Sequence, residues 1–333
     1  MKRPKIVLIG AGRFGRNHLR VLRELQDEDI CELQGVADAN SGTLKVIKRE
    51  YGVEVSTDFR NLLKSSIDAV DVVTPTDSHY AICKESLTAG KHVFVEKPMT
   101  TDYKEAKELV QLARSRSRVL AVGHILRYNR AVQELKGLIK EGELGDVYYM
   151  FGHFMGLKNP RTDVGALFNF TVHHIDVYNF LLDTSPREVM GCLGHYLGRE
   201  RFEDMAFLSL QYPKGIIGLI QGSWLPPGKH RDLTVVGSKG SITCDLLHQE
   251  LKLHHIFIEA HNGKLEAIDE GTTELKVEFE EPLKAELQDF MKCITTGEKP
   301  MADGESALQV IKVAEKALES ARLRRSVDID ETG

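Results

Sequence analysis

The first 123 residues alternate between short apolar runs and stretches whose apolar positions follow the period of an α-helix. The apolar runs lie at 5–9, 31–37, 67–73, 92–96 and 119–124. Strands that alternate with helices form parallel sheets with helices on both faces. The pattern therefore predicts a doubly wound parallel α/β sheet over residues 1–123.

The pattern changes after residue 123. A helical stretch at 131–141 precedes alternating apolar and polar positions, which predict strands at 147–156, 189–197, 205–212, 216–224, 233–236, 241–245 and 250–259. Successive strands with short polar turns favour an antiparallel sheet. Helices are expected at 168–182, 283–295 and 305–323. We predict a second α/β domain over residues 124–333, built on a large, mostly antiparallel open sheet.

A glycine motif follows the first predicted strand and opens the first predicted helix. It reads Gly10-Ala11-Gly12-Arg13-Phe14-Gly15. The first glycine of such a motif permits a tight turn, the second lets a pyrophosphate approach the backbone, and the third lets the helix pack on the strand. The helix start also attracts phosphate charge. The motif predicts a Rossmann dinucleotide site; the alternative is a structural glycine turn.

Asp38 ends the second predicted strand. A Rossmann unit places there the acid that binds the ribose 2'-hydroxyl, and this acid repels a 2'-phosphate. No arginine follows in Ala39-Asn40-Ser41, so NAD is favoured over NADP. Asp38 could also cap a helix at 42–51, and the two roles are compatible.

Two further strands end at the same edge, where ligands of open α/β sheets bind. Thr74, Pro75 and His79 lie in the segment after one strand and could line the cofactor, although Ser78 there could equally be a plain helix cap. Glu96-Lys97-Pro98 follows the other strand. The Lys97 ammonium would lie where it can act on a bound substrate; the alternative is a solvated turn.

The predicted helix at 168–182 carries a polar stripe. Asn169, His173 and Asp176 are spaced at i, i+4 and i+7, which places them on one helical face. Apolar residues surround the stripe, so burying it is costly unless it is used. Histidine is the side chain best able to exchange a proton near neutral pH. The alternative is a buried His173 satisfied by Asp176 or a backbone carbonyl; we interpret His174 as structural.

Composition limits the kinds of partner, metal site and cellular location that we expect. The formal net charge is −5, which argues against a nucleic-acid partner. The five cysteines are scattered and never spaced as Cys-x-x-Cys, which favours reduced thiols over disulfides or a zinc site. The adjacent His254 and His255 would point to opposite faces of a strand, so no metal is expected. Without an apolar signal segment or membrane span, the expected location is the cytoplasm.

The glycine motif, the Glu-Lys-Pro corner and the helix with Asn169 four residues before His173 together resemble the Gfo/Idh/MocA oxidoreductase family across essentially the whole chain. The resemblance implies a Rossmann domain, an α/β domain with oligomer contacts on its sheet, and nicotinamide-dependent chemistry on a sugar or cyclitol carbon. It further implies that Lys97 and His173 are catalytic. Glu96, and Arg127 in Arg127-Tyr128, would lie near the cofactor.

Two stretches are similar to nucleotide-sugar dehydrogenases of this family that oxidise C3 of UDP-N-acetylglucosamine. They are 160–165, which contains Arg161 and Asp163, and 224–237. The resemblance implies that Arg161, Asp163, Asn169 and Asp176 bind substrate beside Lys97 and His173. Asn169 is a departure, because most relatives carry aspartate there.

The expected mechanism has His173 take the hydroxyl proton while Lys97 donates a hydrogen bond to the developing alkoxide. Asn169 would orient the substrate or the imidazole, and Asp176 could hold the second ring nitrogen. The alternatives are an inositol or free-sugar dehydrogenase and, in another class, a non-catalytic NAD(P)-sensing regulator. The expected partners are a small sugar or nucleotide sugar and a second copy of the chain, in a homodimer or homotetramer formed through the C-terminal sheet.

Overall fold

The computed structural model describes residues 3–198 and 201–330. Their contacts divide the chain into two compact units. The first contains the described residues up to Ile125 together with Glu281–Ile311. The second contains Leu126–Glu280 and the described residues from Lys312 onward.

The regular elements are as follows. The strands are β1 (Lys5–Ile9), β2 (Glu32–Ala37), β3 (Glu54–Ser56), β4 (Ala69–Val72), β5 (His92–Val95), β6 (Leu120–Val122), β7 (Val147–Gly156), β8 (Glu188–Gly194), β9 (Met205–Gln211), β10 (Ile217–Ser223), β11 (Lys229–Gly237), β12 (Gly240–Asp245), β13 (Glu250–His261), β14 (Lys264–Leu275) and β15 (Val327–Asp328). The helices are α1 (Gly15–Asp27), α2 (Ser41–Tyr51), α3 (Phe59–Leu63), α4 (Thr76–Thr88), α5 (Tyr103–Ser115), α6 (Arg130–Glu141), α7 (Val172–Leu182), α8 (Pro282–Thr296) and α9 (Gly304–Leu323). No helix within the described ranges is long and apolar enough to span a membrane.

The first unit is built on a six-stranded sheet in the order β3-β2-β1-β4-β5-β6, and every neighbouring pair is parallel. The strand order reverses between β1 and β4, which is where an open α/β sheet binds its ligand. The predicted doubly wound sheet is therefore confirmed. The sequence pattern missed β3, a three-residue edge strand whose side chains are at most partly buried.

Two helices of this unit begin earlier than predicted. The side chain of Asn40 accepts hydrogen bonds from the backbone N–H groups of Gly42 and Thr43, so Asn40 rather than Asp38 caps α2. Helix α4 begins at Thr76, and Ser78 therefore lies inside its first turn. The interpretation of Ser78 as the helix cap was wrong, because the helix starts before it and its hydroxyl lies 2.7 Å from both the Pro75 carbonyl oxygen and the Thr74 hydroxyl.

Helix α8 returns the chain to the first unit. Its apolar side chains Leu283, Leu287, Phe290 and Met291 belong to the same buried cluster as the cores of β1 and α1. The ring of Phe290 packs edge-on against Phe94, with centroids 5.7 Å apart. The sequence had assigned everything after residue 123 to one second domain, and the segment Glu281–Ile311 departs from that division because its apolar face completes the core of the parallel sheet.

The second unit contains a nine-stranded sheet in the order β14-β13-β12-β11-β7-β10-β9-β8-β15. Only β7 and β10 pair in parallel; all other neighbours are antiparallel. This confirms the predicted large, mostly antiparallel sheet. The sequence pattern did not predict β14, an edge strand whose mostly exposed side chains do not alternate between apolar and polar.

The predicted helix at 168–182 is instead a π-helical turn, Leu167–Thr171, followed by α7. The turn is anchored at its start, where the N–H of Leu167 donates to the buried Glu203 carboxylate at 2.7 Å. Glycines of the sheet allow this segment to lie close to it. A Cβ on Gly152 would lie 2.5 Å from the ring of His174, and one on Gly222 would lie 2.9 Å from Phe170.

Candidate active site

The glycine loop of the first unit leaves room for a phosphate. Gly10 has φ +97°, and a Cβ on it would lie 2.5 Å from the carbonyl oxygen of Val73. A Cβ on Gly15 would lie 2.1 Å from the carbonyl oxygen of Gly10, so α1 can approach the loop only because residue 15 is glycine. Nothing lies within 4 Å of the Cβ position of Gly12. The side chains of Arg13 and Phe14 are exposed beside this open space.

Asp38 connects the end of β2 to the glycine loop. One carboxylate oxygen accepts the Ala11 N–H at 2.7 Å and the other accepts the Asn40 N–H at 2.8 Å. These bonds hold the carboxylate at the carboxyl edge of the sheet, where the sequence predicted the ribose acid. Asp38 remains partly exposed, so a ligand can reach it.

His79 connects the segment after β4 to the corner after β5. Its Nδ1 lies 2.9 Å from the carbonyl oxygen of Pro98, and its Nε2 lies 2.9 Å from that of Thr74. The imidazole is buried, whereas Pro75 is exposed at the loop surface. Both ring nitrogens of His79 therefore serve to hold two loops together, a role that the sequence did not predict.

The corner after β5 contains Glu96, Lys97 and Pro98, and the Lys97–Pro98 peptide bond is cis. One oxygen of the Glu96 carboxylate accepts the backbone N–H of Lys97 at 3.2 Å. The Glu96 side chain is mostly buried and that of Lys97 is partly exposed. Lys97 thus lies at the carboxyl end of β5, as predicted.

The sequence reasoning missed a buried ionic cluster below this corner. His18 of α1 lies 2.9 Å from the Asp71 carboxylate of β4 and 3.2 Å from that of Glu96. The sequence did contain a signal for this cluster. Asp71 is a charged residue inside an apolar strand, and such residues are rarely buried without a partner.

In the second unit, Asn169, His173 and Asp176 are all buried. The imidazole of His173 stacks on the ring of Phe154, with centroids 4.2 Å apart and planes 17° apart. The guanidinium carbon of Arg231 lies 3.7 Å from the same centroid. These two groups are too close to the ring to share one face, so Phe154 separates an imidazole from a guanidinium.

Burial lowers the pKa of Arg231 to about 10, and its Nη1 donates to the backbone carbonyls of Met155 and His230. The neighbouring His174 is fully buried, its Nε2 lies 2.9 Å from the carbonyl oxygen of Asp232, and burial lowers its pKa to about 4. His174 is therefore neutral and packs in the core, in agreement with the structural role expected from the sequence.

The Asp176 carboxylate forms a buried ion pair with the guanidinium of Arg127. Both of its carboxylate oxygens lie 2.6–3.0 Å from nitrogens of Arg127, and the two side chains are 1% and 8% exposed. The spacing had suggested that Asp176 holds a ring nitrogen of His173 or binds substrate. The structure pairs its carboxylate with Arg127, because a buried charge needs an opposite charge with matching geometry.

Arg161 and Asp163 form an ion pair with each other before the π-helical turn, with Nε 2.8 Å from a carboxylate oxygen. The His254 imidazole lies between the hydroxyls of Thr243 and Thr272. Over residues 3–198 and 201–330, no group of three or more His, Cys, Asp or Glu side chains is arranged to hold a metal ion.

Comparison with known families decides the assignment. Residues 4–124 match the model of the Gfo/Idh/MocA oxidoreductase family for the NAD-binding Rossmann fold, and residues 136–329 match its C-terminal alpha/beta domain. The chain belongs to the Gfo/Idh/MocA oxidoreductase family. The first unit is accordingly an NAD-binding Rossmann domain.

Members of the Gfo/Idh/MocA family with different substrates are similar to this chain. UDP-N-acetylglucosamine 3-dehydrogenase of Acidithiobacillus ferrooxidans is 27% identical over 92% of this chain and 94% of its own length. The scyllo-inositol 2-dehydrogenase (NAD(+)) of Bacillus subtilis is 26% identical over 98% and 96%. The chain is thus about equally similar to a nucleotide-sugar dehydrogenase and to an inositol dehydrogenase.

Solved structures share the fold. The A. ferrooxidans UDP-N-acetylglucosamine 3-dehydrogenase superposes with a TM-score of 0.82 at 24% identity, covering 97% of this chain and 99% of its own. Levoglucosan dehydrogenase in complex with NADH gives a TM-score of 0.85 at 20% identity, covering 99% and 100%. The residues of the glycine loop fit NAD, since the loop offers open space at Gly12 and Asp38 stands at the adjacent strand end.

The Arg127–Asp176 pair predicts a large stability effect. Asp176→Ala should lower the free energy of unfolding by about 3–5 kcal/mol, because it leaves a buried guanidinium uncompensated. Replacing both partners, with Arg127→Met and Asp176→Leu, should recover most of that loss. Denaturant unfolding of the three proteins measures both effects. Glu274→Gln, which breaks an exposed pair with Lys252, is the control and should leave the unfolding midpoint unchanged. Equal stability of Asp176→Ala and wild type would contradict the prediction.

Proposed function

We propose that this protein is an NAD-dependent dehydrogenase that oxidises a secondary hydroxyl of a sugar or nucleotide sugar, with C3 of UDP-N-acetylglucosamine as the first candidate. The observation that carries the proposal is the environment of His173. Its imidazole is buried and stacked on Phe154, with a guanidinium behind that ring and an amide, Asn169, one turn before it. Histidine exchanges its proton near neutral pH, and its uncharged form is the one that acts as a base.

Cofactor binding is assigned to the Rossmann domain. The N–H groups of the glycine loop, Gly10 to Gly15, would hold the pyrophosphate, and Asp38 would hold the ribose hydroxyls. Thr74, Pro75 and Glu96 are the candidates along the rest of the strand edge, with Arg127 added by family resemblance. When bound, NAD supplies a hydride acceptor, and the protein supplies orientation and electrostatics.

Two side chains are assigned to the reacting hydroxyl. His173 accepts its proton, and the Lys97 ammonium donates a hydrogen bond to the oxygen as negative charge develops there. A positive donor aimed at developing charge contributes a few kcal/mol in a site with little water. Asn169 orients the substrate or the imidazole. The roles of His173 and Lys97 rest on family resemblance and on the presence of both residues in this chain.

A nucleotide-sugar substrate is supported by similarity and by charge. The A. ferrooxidans relative is a UDP-N-acetylglucosamine 3-dehydrogenase. In the second unit, Lys158 lies 4.7 Å from the Phe170 ring and 5.0 Å from the Trp224 ring, and Arg161 with Asp163 lies in the same segment of chain. The exposed Lys158 ammonium is a cation of the kind that pairs with a phosphate group. An inositol dehydrogenase is the second candidate, supported by the B. subtilis relative.

We also propose that the protein works in a reducing compartment, the cytoplasm. All five cysteines are free, and four of them are buried. Burial raises the pKa of the Cys31 thiol to about 12 and that of Cys244 to about 12. Such thiols are unreactive and need no oxidising environment.

Self-association is proposed through the open face of the large sheet. Tyr149, Met190, Phe207 and Leu219 are exposed apolar side chains on four adjacent strands. Strand register places all four on one face, since Leu219 and Met190 both pair with Ser209 and Tyr149 pairs with Ile217. A contiguous exposed apolar face is typical of an interface between copies.

This face predicts a homodimer or homotetramer. Light scattering coupled to size exclusion should give a multiple of 37.4 kDa for wild type. Phe207→Glu with Leu219→Lys should reduce that mass, because charges on both strands oppose burial of the face. Leu265→Lys on β14 is a control with an exposed leucine outside this set, and should not change the mass. A monomeric wild type would contradict the interface.

Lys97→Met tests the catalytic proposal. Wild type should reduce NAD in the presence of UDP-N-acetylglucosamine, and the variant should lower kcat by about a hundredfold or more, because one electrostatic stabiliser is lost. NAD affinity, measured by calorimetry, should change little. Lys104→Met, an exposed lysine on α5, is the control. Unaltered turnover in Lys97→Met would remove this residue from the mechanism.

A panel of UDP-sugars, hexoses and inositols in the same assay separates the candidate substrates. Activity with inositols alone would support an inositol dehydrogenase in place of a UDP-N-acetylglucosamine dehydrogenase. No activity with any member, together with NAD binding, would favour an NAD-sensing regulator.

Asn169→Asp tests His173 as the base. A carboxylate one turn before the ring favours the imidazolium, so His173 should keep its proton to higher pH than in wild type. Because a base acts only when deprotonated, the acidic limb of kcat/KM for alcohol oxidation should move to higher pH. Asn169→Ala removes the amide without adding charge and should leave the limb in place. If the Asp variant superimposes on wild type while His173→Ala abolishes the limb, residue 169 does not act on the ring.

A further inference from the structure

A cluster of three ionisable side chains lies buried inside the first unit. The Nδ1 of His18 lies 2.9 Å from a carboxylate oxygen of Asp71, and its Nε2 lies 3.2 Å from a carboxylate oxygen of Glu96. The side chains of His18 and Asp71 have no exposed surface, and that of Glu96 has 11%. The cluster thus reaches the surface only through Glu96.

The two carboxylates favour a charged His18 ring. Burial by itself lowers the pKa of His18, but Asp71 and Glu96 outweigh it and raise the pKa to about 10. Within residues 3–198 and 201–330, the charged groups that act on the ring are these two carboxylates, from β4 and from the end of β5. Phe14 and Phe94 pack edge-on against it, at centroid distances of 5.1 and 5.8 Å. The two carboxylates therefore favour the imidazolium form of His18, while burial raises the pKa of Asp71.

The Glu96 carboxylate is held on three sides. His18 lies against one oxygen, and the other accepts the backbone N–H of Lys97 at 3.2 Å. On the third side is Gly123 of the segment after β6, where a Cβ would lie 2.6 Å from the carboxylate. The position of this carboxylate therefore depends on α1, on the backbone of Lys97 and on the missing side chain at residue 123.

Stability alone does not account for such a cluster. Burying several charges costs desolvation free energy, and apolar side chains of similar volume often stabilise a protein at least as well. Buried ionic groups do, however, specify one arrangement of the elements that carry them. Here those elements are α1, which starts at the last glycine of the loop, and the corner that carries Lys97.

We propose that His18 is a positioning residue that holds the Glu96 carboxylate, and through it the backbone of Lys97, in a fixed relation to the glycine loop. The proposal rests on the proposed role of Lys97 in catalysis. His18 itself touches no substrate, and it acts only through Glu96. The effect of losing His18 should therefore depend on whether Glu96 is present.

A double-mutant cycle tests this dependence. His18→Gln should lower kcat by about tenfold to a hundredfold, because a misplaced catalytic group costs rate of that order. NAD affinity should change less than kcat. The double variant His18→Gln with Glu96→Gln should be no slower than Glu96→Gln alone, since the two residues act in series. Losses that multiply would overturn the proposal.

A pH profile separates positioning from packing. Asp71→Asn removes a charge from His18 and retains a hydrogen-bonding side chain, so the ring should lose its proton at lower pH than in wild type. Stabilisation of the corner by the imidazolium is present below the pKa of His18 and is lost as the pH rises through it. The kcat of Asp71→Asn should therefore fall with rising pH over a range in which that of wild type does not. Profiles of identical shape would overturn the proposal.

An NMR measurement keeps the inference independent of enzyme activity. In His18→Gln, the amide resonance of Lys97 should shift, because its carboxylate acceptor moves. His92→Gln, at the opposite end of β5, is the matched control and should leave that resonance in place. If His18→Gln does not fold, the neutral pair His18→Gln with Asp71→Asn avoids an unpaired buried charge and replaces it. An unshifted Lys97 resonance would refute His18 as a positioning residue, whether or not the wild type proves to be a dehydrogenase.

Discussion

In both units, the candidate site residues depend on backbone that approaches more closely than side chains would allow. Helix α1 can start beside the turn at Gly10 only because residue 15 has no Cβ. In the second unit, Gly152 and Gly222 let the segment that carries His173 lie against the sheet. A methyl group at any of these positions would meet other atoms within 3 Å. The glycines thereby determine where the backbone N–H groups of the loop and the imidazole of His173 can lie, although no glycine takes part in chemistry itself.

Charge is distributed differently around the two site histidines. His18 lies between carboxylates and keeps its proton, whereas the stacked imidazole of His173 has an aromatic ring between itself and a guanidinium. The carboxylate nearest to His173 along its helix, Asp176, is already paired with Arg127. The His18 ring therefore lies between two charged groups, whereas the His173 ring is held by aromatic stacking.

The buried ion pairs also explain how polar residues can be placed inside apolar cores. Asp71, Asp176 and Glu203 are each buried, and each meets a cation or a backbone N–H. A lone carboxylate in such a place would be costly, so the partner determines which conformation of the segment is stable. At Leu167 the Glu203 carboxylate anchors a π-helical turn, a form that is rare and often occurs at functional sites.

The sequence by itself determined the parallel and antiparallel sheets, the glycine loop, the strand ends at Asp38 and Lys97, and the family. These features depend on residues close together in the chain, and local periodicity and spacing report them directly. Only the tertiary structure decided that α8 completes the first core, that Asp176 pairs with Arg127, and that His18 meets Asp71, 53 residues away. An apolar helix face or a charged side chain does not specify its partner. The partner is selected by which distant surfaces exclude water together and by which opposite charge is brought within hydrogen-bonding distance.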